Sequence, residues 1–78
     1  MSAAIPKAVL LARLKVCKCN IERENQNDIE ISFDGRAFFI PQPPDGFYYT
    51  AKQVNKIEST LAFYGVDLLP FDWNTAIN

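Results

Sequence analysis

Residues 29–40 read Ile29-Glu30-Ile31-Ser32-Phe33-Asp34-Gly35-Arg36-Ala37-Phe38-Phe39-Ile40. Two runs flank Asp34-Gly35, and the first alternates apolar and polar residues strictly. Asp-Gly between such runs is the strongest short-range hairpin signal, because a type I′ turn needs positive φ at both central positions. A two-residue turn also fixes the register. Phe33 then faces Arg36, Ser32 faces Ala37, Ile31 faces Phe38, Glu30 faces Phe39 and Ile29 faces Ile40. One face carries Ile29, Ile31, Phe33, Phe38 and Ile40, so it is the expected core side. Phe39 falls on the other face, beside Glu30, Ser32 and Ala37.

Downstream, Thr50 and Gln53 have the spacing of a capping box, and Tyr49 with Val54 that of a hydrophobic staple. Val54, Ile57, Leu61 and Tyr64 follow as one apolar stripe. Gly65 stands where a left-handed residue closes a helix, and Val66 can contact Leu61 as in a Schellman ending. Residues 41–46, Pro41-Gln42-Pro43-Pro44-Asp45-Gly46, read as a stiff polyproline-like bridge ending in a turn.

Upstream, Pro6 suits the first turn of a helix. Leu10, Leu14, Cys17 and Ile21 then recur at helical spacing, with Leu11 beside them. Helix is the reading for residues 6–14. Residues 15–22 allow either helix or strand, the strand placing Cys17, Cys19 and Ile21 on one face. The expected architecture is α+β. It is either α–β–β–α, with a two-stranded hairpin packed against helices, or β–β–β–α, with residues 14–22 as a third strand. A bare two-stranded sheet is marginal, which keeps the second form in play.

Seventy-eight residues make one small domain with a thin core. Within 1–78, residues 41–46 are the Pro-rich bridge and residues 66–78 an apolar and acidic C-terminal tail without Lys or Arg. Net charge is −1, but residues 1–23 carry +4 and residues 24–78 carry −5. Opposite blocks attract within a fold, or the first offers a basic docking face. No run approaches the ~20 apolar residues of a membrane span, and no secretion signal stands out. Cytoplasmic location, with Cys17 and Cys19 as reduced thiols, is the expectation, since C-x-C spacing strains a mutual disulfide.

The sequence contains no histidine, so Ser/His and Cys/His catalysis cannot be built within the chain. Cys17 between Lys15 and Lys18 has the flanks of a reactive thiol, though structural cysteines are the simpler reading. Neither a phosphate loop nor a metal-ligand pattern is present, so no cofactor, no metal and no enzymatic activity are expected.

Aromatic residues exceed what so small a core hides. Phe39, Tyr48, Tyr49, Phe71 and Trp73 are the candidate partner-binding residues, of the types that anchor interfaces. The tail, through Leu69, Phe71 or Trp73, is the alternative cover for Phe39. The expected function is a small non-catalytic protein-interaction module: an adaptor, inhibitor or assembly component. Its partner would be another protein or a second copy. The alternative is a nucleic-acid-binding regulator, with the hairpin as a wing, Arg36 near a phosphate and the basic N-terminal segment as the footprint. An acidic pI near 5.2 weighs against it.

The order helix, Asp34-Gly35-Arg36 hairpin, Thr50-capped helix resembles, over about residues 8–64, the small head–tail joining proteins of tailed bacteriophages. The resemblance is one of topology, and it implies an assembly component encoded by a phage or mobile element. The acidic balance and the Pro-rich bridge depart from that family.

Overall fold

The structure, a computed structural model, describes residues 4–66. The chain is an α+β fold in the order β1 (Ile5–Pro6), α1 (Lys7–Val16), β2 (Asn20–Glu24), β3 (Asp28–Phe33), β4 (Arg36–Pro41), β5 (Tyr48–Tyr49) and α2 (Ala51–Phe63). β2, β3 and β4 form an antiparallel sheet in sequence order, and β1 pairs with β5 in a second, two-stranded one.

The β3–β4 hairpin has the register its turn demands, from Phe33↔Arg36 to Ile29↔Ile40. Asp34 and Gly35 have φ of 53° and 78°, the two positive values of a type I′ turn. Ile29, Ile31, Phe38 and Ile40 are buried on one face, while Phe33 near the turn is only partly buried. Pro41 closes β4 opposite Asp28, rather than opening the bridge. Counted from the turn, position 41 is one whose amide points out of the ladder, so proline removes no sheet bond there.

α1 and β2 combine parts of both architectures expected for the N-terminal third. Leu10 and Leu14 are buried, as a helical stripe requires. The helix then stops at Val16, and Lys18 takes φ of 69°. This left-handed residue turns the chain back, and residues 20–24 become the third strand beside β3. A third strand makes the hairpin sheet self-supporting. The same reversal corrects the stripe: Cys17 is the C-cap, half-buried, and Cys19 is the thiol that enters the core. A bulge between Ile21 and Arg23 absorbs Glu22, whose carboxylate accepts a hydrogen bond from Ser32 Oγ.

α2 has both predicted ends. Gln53 N–H donates to Thr50 Oγ1 at 3.1 Å, and Thr50 N–H donates to Gln53 Oε1 at 3.2 Å. At the other end Val66 N–H donates to the Leu61 carbonyl at 2.9 Å and Gly65 N–H to Ala62 at 3.1 Å. That pair of bonds defines a Schellman ending. Val54, Ile57 and Leu61 face the core. α1 lies against β2 and α2 against β4 on the single apolar face of the sheet. The two charge blocks meet in the fold through Lys7–Glu24 and, more loosely, Arg23–Glu30. Among the described residues no helix is long and apolar enough to cross a membrane.

Candidate functional site: a pinned aromatic loop

The bridge after β4 is held at several points. Gln42 N–H donates to Asn27 at 3.1 Å, and Pro43 is buried. Gly46 N–H returns to the Pro43 carbonyl at 3.1 Å, closing a turn in which Gly46 takes φ of 81°. The Asp45 carboxylate then accepts two backbone amides, Phe47 and Tyr48, each at 2.8 Å. Those amide bonds, Tyr48 first and Phe47 next, hold the Asp45 pKa below its ordinary value. Finally the Phe47 carbonyl receives Lys7 N–H at 2.8 Å, tying the loop to the start of α1.

This backbone presents two rings to water. Phe47 is 72% exposed and Tyr48 54% exposed. An exposed aromatic pair on a mobile loop would lose ordering entropy on binding. On a backbone already fixed by a buried proline and several hydrogen bonds, most of that cost has been met on folding. Such rings supply large contact area with only two rotatable side-chain angles each.

Tyr49, one residue on, is not part of this surface. Its side chain is fully buried, and its hydroxyl donates to the Pro41 carbonyl at 2.6 Å. Strand alternation is the reason: with Tyr48 turned outward in β5, Tyr49 turns inward and joins the buried cluster that also holds Val54. Burial, with the Glu24 charge second, pushes its pKa up to about 12.

Phe39 is 53% exposed on the outer face of β4, opposite Glu30. Among the described residues no ring contact joins it to Tyr48. Phe71 and Trp73 lie outside the described residues, as does the question of whether the tail covers Phe39.

The sequence reading missed Phe47 and Phe63. For Phe47 the signal was present: an Asp two residues upstream at a Pro-Asp-Gly turn is the pattern of an Asx turn, which orients the next residues. Phe63 extends from the last turn of α2, 78% exposed, and meets Tyr64 edge-on at 5.0 Å. Tyr64 in turn stacks on Phe38 at 4.5 Å. Arg36 lies 5.7 Å above the Tyr64 ring and donates to the Tyr64 carbonyl at 3.4 Å. Its guanidinium is therefore engaged within the fold.

An open groove of about 570 Å³ lies between α1 and β2. Leu11, Cys19 and Ile21 line it together with Lys15, Lys18 and Glu24. Desolvation, and then the neighbouring Cys17, push the Cys19 thiol up to about 11, so it stays protonated and unreactive near neutrality. Among the described residues no three metal-ligating side chains converge.

Comparison with known proteins gives no relative. No family model matches the chain, and neither a curated protein nor a solved structure shows significant similarity.

Proposed function

We propose that this chain is a small protein-interaction module, an adaptor, inhibitor or assembly component, whose anchor is the Phe47–Tyr48 pair. The observation that carries the reading is the contrast between the two rings and their backbone. The rings are more than half exposed, while Asp45, Pro43 and Lys7 fix the chain beneath them. Leaving two aromatic rings in water forgoes burial worth about 1.5–3 kcal/mol each, which a partner protein recovers. Interfaces concentrate their energy in such rigid aromatic anchors.

The test places a photo-cross-linking phenylalanine analogue at Tyr48 and, as a control on the polar β2–β3 turn, at Asn27. The expected result is a discrete cross-linked protein from position 48 alone, lost when Phe47→Ser is added. Thermal melting of that variant should match the parent, since Phe47 is outside the core. Equal cross-linking from both positions, or none from position 48, would remove the reading.

A further inference from the structure

The three-stranded sheet has two edges, and they differ. The β2 edge is bulged at Glu22 and carries exposed Glu22, Arg23 and Glu24, the usual devices that repel an incoming strand. The β4 edge has neither device between Ala37 and Ile40, and the guanidinium of Arg36, its first residue, is turned to Tyr64. In a two-residue hairpin, positions 33, 31 and 29 exchange hydrogen bonds with 36, 38 and 40. The amides and carbonyls of Ala37 and Phe39 therefore point away from β3. Among the described residues they meet no partner.

We propose that β4 pairs antiparallel with β4 of a second copy of this chain, about a two-fold axis at Phe38. This contact is separate from the Phe47–Tyr48 surface and does not rest on it. In this register Ala37 lies opposite Phe39 of the other copy, and the two residues exchange both hydrogen bonds. The axis repeats the exchange, so all four outward groups of each strand are used. Pro41 lies opposite Gly35 of the other copy, where its missing amide ends the ladder without a lost bond.

The side chains fit the same register. Phe39 lies on the outer face across from Ala37, whose small side chain leaves room for the ring. The two Phe39 rings flank the axis diagonally, within reach of each other. This accounts for a half-exposed phenyl ring on an otherwise polar face. Charge permits it: the central residues are Ala37, Phe38 and Phe39, so no like charges meet, and Arg36 of each copy lies opposite Ile40. A single pair of short strands buries less than a standard interface, so the dimer is a weak, reversible one.

The test is amide hydrogen exchange of the full chain at about 20 µM and about 1 mM, beside sedimentation, a range chosen for a contact below standard interface size. The expected result is at least tenfold slower exchange at Ala37 and Phe39 in the concentrated sample, together with a shift towards dimer mass. Ala37→Pro should abolish both effects, because it deletes only an outward amide; Ala37→Lys should do the same by charge if the proline variant fails to fold. Fast exchange at both concentrations would show an open edge and overturn the proposal. Slow exchange at both concentrations in a monomer would show the edge covered within one chain, and would overturn it equally.

Discussion

The backbone amide of Cys19 donates to the carbonyl of Leu14 at 2.9 Å, the same six-to-one bond that Val66 makes to Leu61. In each case the next bond in the motif is also present, Lys18 to Lys15 at 3.0 Å and Gly65 to Ala62 at 3.1 Å. In each case the paired side chains are buried. Both helices thus end by the same Schellman device, but α2 places glycine at the left-handed position and α1 places lysine.

That difference predicts a stabilising substitution. A side chain in the left-handed region costs roughly 1–2 kcal/mol. Glycine avoids this but adds about 0.5–1 kcal/mol of unfolded-state entropy. Lys18→Gly should therefore raise stability by a net ~0.5–1 kcal/mol, read by chemical denaturation. Gly65→Ala should lower it by about 1 kcal/mol. A Cβ at Gly65 meets nothing within 4 Å, so that cost is conformational and not steric.

The same turn sets the order of thiol labelling. Cys19 is 3% exposed, whereas Cys17 is only partly buried. A mild alkylating reagent should modify Cys17 first, and Cys19 on the timescale of unfolding. Mass spectrometry of peptides from partly labelled native protein would measure this. Faster loss of Cys19 would contradict the placement of its side chain.

What could be read beforehand follows from how local each signal is. Asp34-Gly35 demands its turn, and Thr50, Gln53, Gly65 and Val66 specify both ends of α2 within a few residues of each other. α1 and β2 could not be separated, because Leu10, Leu14, Cys17 and Ile21 fit a helical period while the chain in fact reverses between them. The reversal hinges on Lys18, a residue type that does not announce positive φ. Tertiary pairing with β3 decides the issue. The aromatic site was legible in kind but not in membership. Tyr48 and Tyr49 are equivalent by composition. The staple spacing of Tyr49 with Val54 marks Tyr49 as the inward one, yet both stand among the candidate partner-binding residues, and in β5 only Tyr48 is exposed.

The helix cap carries its own prediction. Thr50→Ala removes the acceptor for the Gln53 amide and half of the capping box. A loss of about 0.5–2 kcal/mol is expected in denaturant titration. Thr50→Ser keeps the acceptor and should retain most of it.

Tyr49 predicts alkaline sensitivity. Its folded-state pKa, about 12, lies above the ordinary tyrosine value of 10.0. The folded chain therefore keeps a proton that the unfolded chain releases. The stabilisation is complete below pH ~10 and is lost as pH rises towards ~12. Cys19 acts in the same direction, from 9.0 to about 11. Stability measured from pH 8 upward should fall steeply above the ordinary values of these groups. Tyr49→Phe should be less stable at pH 8, having lost the bond to Pro41, yet should decline less steeply. An equal slope in both proteins would show that Tyr49 does not titrate in this way.

Asp45 separates presentation of the aromatic loop from stability of the fold. Its carboxylate accepts the amides of Phe47 and Tyr48 on an exposed turn outside the core. Asp45→Ala should leave cooperative melting nearly unchanged while speeding amide exchange at residues 47 and 48. Because those bonds lower the folded-state pKa, the linkage sign is that of a carboxylate. The ordering is present above the ordinary value and is lost as pH falls through the depressed one. The 47 and 48 amides of the parent should stay protected through the ordinary carboxylate range and open only below it. If Phe47 and Tyr48 anchor a partner, Asp45→Ala weakens capture by the Tyr48 cross-linker without touching either ring, because the ordering cost returns to the binding step. Asp45→Asn retains a side-chain oxygen acceptor and should restore part of the capture. Undiminished capture by the alanine variant, with faster exchange at both amides, would show that the partner needs the rings but not their prior placement.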